Sequence, residues 1–428
     1  MKTLCLVLVL ALAATAVHAA PPEPKFRAVT IDDKIQIGYG LAIADVDGDG
    51  KPDILLADKK QFVWYRNPGA EKSGDPAAWT KYVIAENLTE HDNVCLAAED
   101  IDGDGKCELA VGAEWNPGDT VNSGAVFYLI PPADRTQKWE PVKFPSVEPT
   151  THRMKWVPLK VRDDATIKNW RYHWGLVVVP LHGRENKSGE GVPVKVLLYH
   201  PPSDPRSEWK SETIAESMHM THNFDWNRVA DGFVRGLSFL LVAGKEGVSY
   251  YMLSDGRVTP RSGTSLIPEL GGEGVGEVRI NAKDYRTPFL YSTIEPMHGN
   301  QLTVYLSVKK SGDEGGKENS PKLKRHLLTD KLTEGHALAC DDMFGVGSDQ
   351  IVVGWRGTPG KEGSTFGIHL WTPLDPEGKD WRDSAVDDGG MACEDLVLAD
   401  LNGDGKLDII ASGRATHNVK IYFNETPR

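Results

Sequence analysis

The chain has 428 residues, 61 of them acidic and 48 basic, for a formal net charge of −13. No Lys/Arg cluster is interleaved with aromatic residues, which excludes a nucleic-acid partner held through its phosphates. The acids gather in defined loops rather than in a tail, so they read as metal ligands more than as a sign of disorder.

Lys2 precedes an apolar run from Leu4 to Ala14, and Val17-His18-Ala19 forms a small-residue cleavage site, so residues 1–19 read as a secretory signal peptide. The run is shorter than the roughly 18–20 residues of a spanning helix. The mature chain, residues 20–428, is expected to be one secreted or periplasmic domain without membrane insertion. Cys5 leaves with the signal; Cys95, Cys107, Cys340 and Cys393 remain in a compartment that permits disulfides, with either a Cys340–Cys393 bridge or none favoured.

The first mature element is a strand, KFRAVTI from Lys25, with no neighbouring partner. Then comes DVDGDGKPD from Asp45, which aligns without gaps with DIDGDGKCE from Asp100 and DLNGDGKLD from Asp400. Each lies between alternating apolar stretches and reads as strand, nine-residue loop, strand. Weaker copies fall near Val161, Asp225, Asn281 and Asp341, giving seven starts spaced about 59 residues apart on average. An aromatic third strand follows every start: QFVWYRNP, GAVFYLIPP, VKVLLYHPP, GVSYYML, LTVYL, FGIHLWTP and VKIYFNE. A fourth strand follows six of them, opened by a tryptophan at Trp79, Trp139, Trp209 and Trp381. The seventh set lacks a fourth strand and the N-terminal strand lacks a partner, so each completes the other. The expected fold is an all-β, seven-bladed β-propeller with four-stranded blades, its last blade closed by the N-terminal strand. An eight-bladed ring or a pair of β-sandwiches does not account for the matching orphans.

Within the three loops, carboxylates at positions 1, 3 and 5, a carbonyl at 7 and an acid at 9 can wrap one hard cation in oxygen, the preference of Ca²⁺. The ligand sets are Asp45, Asp47, Asp49, Asp53; Asp100, Asp102, Asp104, Glu108; and Asp400, Asn402, Asp404, Asp408. Glycines at positions 4 and 6 allow the tight turn. The segment at Asp341 is shorter and carries Met343 and Phe344, so no metal is expected there. These loops resemble the FG-GAP/VCBS repeats of integrin α-subunit heads and of many bacterial secreted proteins. The resemblance implies up to three structural Ca²⁺ sites at hairpins that stabilise the blades.

Calcium loops occupy one face of such a ring. The other face collects residues just before the inner strands, including Tyr39, His91, Asp92, His152, Arg153, His222, Asn223, His336 and Glu394. Loops after the second strands add Lys59, Trp115, Lys245, Glu295, His298, Trp355, Arg356, Arg414 and His417. Convergent polar groups at a concavity mark a ligand site, and imidazoles serve as bases or metal ligands. The arginines suit a carboxylate or a set of sugar hydroxyls, and Trp115 and Trp355 suit the face of a pyranose. No Gly-x-Ser-x-Gly elbow is present.

The segments EPTTHRMKW, MTHNFDW, EPMHGNQLTVYL, EGHALACDD and GMACEDLVLADLNGDGKLDIIASGRATHNVKIY resemble the propeller portion of the aldos-2-ulose dehydratase group, whose cupin-like domains this chain lacks. That resemblance implies β-elimination on a sugar. The catalytic candidates are His152, His222, His298, His336 and Arg414, with Lys245 or a histidine-held divalent cation as further stabilisers of an enolate. Substrate-binding candidates are His91, Lys245, Trp115, Trp355, Arg356, Glu394 and His417. The competing reading is a non-catalytic propeller that binds a glycan or a protein. Asn87, Asn186 and Asn424 open glycosylation sequons, and Ser311–Lys322 reads as a solvated loop.

Overall fold

A computed structural model describes residues 20–427, apart from 146, 163–169, 229–237, 255–256, 261–266, 268–272, 281–290 and 309–321. Residues 1–19, read above as a signal peptide, the Asn281 start and nearly all of the Ser311–Lys322 segment lie outside the described residues.

The strands run in chain order from β1 (Phe26–Asp32). Blade one holds β2 (Gly40–Ala44), β3 (Asp53–Ala57), β4 (Gln61–Arg66) and β5 (Thr80–Glu86). Blade two holds β6 (Cys95–Glu99), β7 (Glu108–Ala113), β8 (Ala125–Ile130) and β9 (Glu140–Lys143). Blade three holds β10 (Thr151–Arg162), β11 (Trp170–Pro180), β12 (Val196–His200) and β13 (Lys210–Ala215). Blade four holds β14 (Thr221–Arg228), β15 (Ser238–Gly244), β16 (Gly247–Ser254) and β17 (Arg257–Pro260). Blade five holds β18 (Glu277–Ile280), β19 (Tyr291–Glu295), β20 (Gln301–Val308) and β21 (Lys322–Thr329). Blade six holds β22 (Gly335–Asp341), β23 (Gln350–Trp355), β24 (Gly367–Pro373) and β25 (Trp381–Asp388). Blade seven holds β26 (Cys393–Ala399), β27 (Asp408–Gly413) and β28 (Asn418–Asn424), with β1 as its outer strand.

Every blade is an antiparallel four-stranded sheet in sequence order except the seventh, whose order is β1-β28-β27-β26. Phe26 pairs with Asn424 and Val29 with Ile421, so the chain ends share one sheet as the orphan strands require. The inner strands pack neighbour to neighbour round the ring, β26 against β2 included. Sheet faces bury against sheet faces: Leu55, Phe62 and Trp64 of blade one pack with Leu109, Val111 and Phe127 of blade two. The fourth-strand tryptophans serve as latches. Trp79, Trp139 and Trp209 are buried, and each, like Trp381, donates its indole N–H to a carbonyl in the loop just before it, at 2.9 to 3.1 Å. A buried indole keeps its donor satisfied while filling the gap between blades.

The four cysteines among the described residues are free, so the Cys340–Cys393 bridge is not formed. They act as small apolar filler instead: Cys95 lies across from Gly112, where a Cβ would collide with its sulfur, and Cys393 is set against Gly354 in the same way. Of the three sequon asparagines, Asn186 and Asn424 are each 1% exposed, with side-chain amides donating to backbone carbonyls. Asn87 is exposed. No helix among the described residues is long and apolar enough to cross a membrane.

Candidate functional site

The three acidic loops fold alike. Asp45 accepts N–H bonds from Gly48 and Gly50, both at 2.7 Å; Asp100 accepts from Gly103 and Gly105, and Asp400 from Gly403 and Gly405. All six glycines have φ between 73° and 85°, a region a Cβ disfavours. The closing acids are anchored from below. Asp53 and Asp408 each accept a main-chain N–H on both oxygens, from Val46 and Asn67 and from Leu401 and Asn424, while Glu108 accepts from Ile101. Carboxylate oxygens of Asp45, Asp47 and Asp53, and of Asp100, Asp102 and Glu108, lie within 4.8 Å of one another. Burial pushes Asp53, Glu108 and Asp408 up to about 7, and the neighbouring loop acids add to the rise. This oxygen-only donor set fits Ca²⁺. In the first loop Arg66 pairs with Asp47 at 2.8 Å and Lys51 with Asp49 at 2.5 Å, partly offsetting that charge.

On the opposite face, a cavity of about 350 Å³ is lined by Tyr39, Val94, Trp115, His152, Arg153, Leu181, Met220, His222, Met297, His298, His336, Arg356, Glu394 and Arg414. All five catalytic candidates therefore meet in one place, joined by three of the substrate-binding candidates, Trp115, Arg356 and Glu394. Its size is within the range of small-molecule sites.

One backbone device produces the convergence. His152, His222, His336 and Glu394 are each the second residue of an inner strand, in β10, β14, β22 and β26. At each the ladder slips: pairing passes from Thr151 to Arg153, from Thr221 to Phe224, from Gly335 to Ala337 and from Cys393 to Asp395. A β-bulge leaves a residue unpaired and re-aims its side chain. All four bulged side chains line the mouth although only 1 to 5% exposed.

The bulges also fix the imidazoles. Nδ1 of His152 donates to the carbonyl of His222 at 2.8 Å, Nδ1 of His222 to that of Gly276 at 3.1 Å, and Nδ1 of His336 to that of Glu394 at 2.6 Å. Each acceptor belongs to the next blade. A carbonyl only accepts, so Nδ1 carries the proton and Nε2 keeps its lone pair. The Glu277 carboxylate lies 3.2 Å from the same Nδ1 of His222 and is held in turn by Asn223 and Arg279. Ligating histidines carry such outer partners.

His298 reaches the group from the loop between β19 and β20, in a left-handed conformation at φ 52°. Its Nε2 is 2.7 Å from Nε2 of His222, and one ligand nitrogen from each of His222, His298 and His336 falls within 4.8 Å of the others. Three imidazole nitrogens bound at about 2.1 Å would stand roughly 3.0 to 3.4 Å apart, so small ring shifts admit a cation. Burial, then the neighbouring His222 and Arg356, lowers His298 to about 2. Burial with Arg153 or Arg356 holds His152, His222 and His336 well below the ordinary imidazole range. All four imidazoles stay neutral at physiological pH, as metal ligands must.

His152 stacks on Trp115 with ring centroids 4.9 Å apart. Tyr39 donates its O–H to Asp92 at 3.1 Å, and burial together with that carboxylate raises its pKa, so the phenol keeps its proton. Glu394 accepts from Nη1 of Arg356 and from Nη1 of Arg414, both at 2.9 Å. Beneath the mouth, inner-strand residues including Arg153, Lys155, Asp225, Arg279 and Asp395 line a polar channel of about 470 Å³.

Four substrate-binding candidates lie outside the mouth. His91 is exposed and bonds Glu114 at 2.5 Å, and Lys245 donates to the Gly189 carbonyl. His417 is exposed with Nδ1 on the Gln36 carbonyl. Trp355 is 7% exposed and belongs to a separate cavity with Phe366, His369 and Trp371. Each sits at the expected strand end, but its side chain is held by partners outside the cavity lining. Glu295, also expected on this face, is clamped by Arg325 and Tyr305 instead. Sequence reasoning did not single out Glu277, Leu181, Met220 or Met297, although the two methionines lie within MTHNFDW and EPMHGNQLTVYL, close to His222 and His298. Alignment of the inner strands by their second residue would have placed His152, His222, His336 and Glu394 in one column.

Among known proteins, residues 45–111 match the FG-GAP-like repeat family. A search of the curated proteins finds no match. Two solved structures of BBS1N in complex with ARL6DN, soaked with mercury and with lead, are similar to 96% of this chain. They share 12% and 10% identity, are covered over 98% and 97% of their own lengths, and give TM-scores of 0.49 and 0.48. Residues 45–111, which hold the Asp45 and Asp100 loops, thus carry an FG-GAP-like repeat; a third loop of that pattern stands at Asp400, and seven four-stranded blades make the chain a β-propeller.

Proposed function

We propose that the mouth is a metal-assisted carbohydrate lyase centre on an exported propeller stabilised by calcium. The observation that carries this reading is the convergence of His222, His298 and His336, two of them with Nδ1 committed to a carbonyl so that Nε2 keeps its lone pair. A three-imidazole site with open positions suits a divalent cation such as Zn²⁺ or Mn²⁺. Such a cation supplies a Lewis acid for a carbonyl or carboxylate oxygen.

The rest of the chemistry belongs to this chain. His152 lines the cavity with its Nε2 lone pair unprotonated, and accepts the proton next to the activated carbonyl or carboxylate. The guanidiniums of Arg356 and Arg414 face the charge that develops on oxygen. Tyr39, turning its O–H from Asp92 to the substrate, donates to the oxygen expelled at the β position. The C–H and C–O bonds break, a C=C bond forms, and no water is consumed.

The test is to incubate mature protein with Ca²⁺ and with added Mn²⁺, Zn²⁺ or Mg²⁺, against oligouronides and keto-sugars, and to follow the ultraviolet absorbance of an unsaturated product. Absorbance that requires the added metal and disappears in His152→Ala and His336→Ala is the expected result. Metal-loaded protein that yields no product from either substrate class would refute the lyase reading and return the mouth to a binding site.

A further inference from the structure

The charge balance of the mouth runs against that of the chain. The protein carries a net charge of −13, yet three guanidiniums, Arg153, Arg356 and Arg414, line this cavity beside a single carboxylate, Glu394. Glu334 adds a second carboxylate to Arg356 at 3.3 Å. Buried Glu277, next to His222, is itself paired with Arg279 at 3.3 Å, and a bound divalent cation would add positive charge to the mouth.

Arg356 and Arg414 are also shaped as a pair. Glu394, 2% exposed, takes one N–H from each on separate oxygens, so a single buried acid sets the separation and tilt of both. Arg414 is further placed by Tyr39, over whose ring its guanidinium sits at 5.5 Å. Each fork keeps donors that Glu394 does not use, and a planar fork matches a planar carboxylate. A carboxylate that takes the spare donors gains a charge-assisted bond to each guanidinium.

We propose that the ligand of the mouth carries a carboxylate, making it an acidic sugar of the uronate class, and that Arg356 and Arg414, held as a pair by Glu394, grip that carboxylate. This rests on reading the mouth as a carbohydrate site. It also gives the elimination its activating group. When the carboxylate is attached to the carbon that loses the proton, the charge that develops lies on the two oxygens gripped by the arginines. The proton goes to His152, the electron pair of the broken C–H bond forms the C=C bond, and the β oxygen leaves with the proton of Tyr39.

The experiment is calorimetric titration of the full mature protein, loaded with Ca²⁺ and Mn²⁺, with glucuronate and galacturonate, with glucose and galactose, and with glucose 6-phosphate. Uronates should bind at least about tenfold more tightly than neutral hexoses, the effect of one charge-assisted pair. Arg414→Gln should remove that preference, and Arg356→Gln should do the same, with Mn²⁺ content unchanged in both. Arg414 is 41% exposed, so its variant stays informative if Arg356→Gln folds poorly. Equal affinity for neutral hexoses, tighter binding of the phosphate ester, or a preference that survives both variants would overturn the proposal. Uronate binding without any unsaturated product would sustain the ligand class while removing the lyase reading. Product from neutral keto-sugars with no uronate preference would do the reverse.

Discussion

Replacing Glu394 by glutamine tests whether one carboxylate holds both mouth arginines. The side chain is 2% exposed and bonds Arg356 and Arg414 at 2.9 Å each. Removing one partner of a buried ion pair costs about 3–5 kcal/mol because the other charge is left uncompensated. Arg414 is 41% exposed and Arg356 retains Glu334 at 3.3 Å, which lowers the figure to about 2–3 kcal/mol. With an unfolding entropy of about 2.1 cal/mol/K per residue over roughly 400 residues, each kcal/mol moves Tm by about 1 °C, so scanning calorimetry should show a fall of about 2–4 °C. The substitution leaves the main-chain carbonyl that accepts His336 Nδ1 in place, so bound Mn²⁺ measured by atomic emission should not change. Adding Arg356→Met should recover part of the loss, with a coupling of about 1 kcal/mol or more between the two sites. An unchanged Tm in Glu394→Gln, or strictly additive losses in the double variant, would refute the account of the mouth as one acid holding two cations.

Other outcomes follow from the fold and its loops. A chelator should lower Tm by several degrees and Ca²⁺ should restore it, since one site held at a hundredfold excess over Kd is worth about 2.7 kcal/mol; Asp45→Ala, Asp100→Ala and Asp400→Ala should each reduce that response, and a Tm indifferent to chelation would contradict it. Burial opposes protonation of His369, but Asp383 and Asp388 outweigh it and raise its pKa. The pair's contribution is thus complete below the unfolded value near 6.5 and fades as pH rises through the folded one. His369→Gln should therefore cost up to about 1 kcal/mol at pH 5.5 and little at pH 9, in denaturant melts at both values. Deleting residues 20–32 strips β1 from β28 and leaves an open edge, so light scattering should show self-association. Gly112→Val forces a side chain against Cys95 and Thr151 and should lower stability by about 1–3 kcal/mol, read from Tm.

The repeats, the blade count, the closing strand and the calcium-type loops were legible in the chain because each rests on local order. A DxDGDG run specifies its own turn, since Asp45, Asp100 and Asp400 bond glycine N–H groups only three and five residues away. Two orphan strands specify a shared blade because unpaired edges are unfavourable. Strand order also assigned the face on which each histidine lies. It did not assign which of them share one cavity, which is why His91, Lys245, Trp355 and His417 were grouped with residues they do not meet. That convergence is set by the bulges at His152, His222, His336 and Glu394, and by acceptor carbonyls on the next blade. Both depend on register and on contacts across 54 to 70 residues of chain, so the sequence determined which residues the mouth had to choose from, and only the closed ring decided which of them came together.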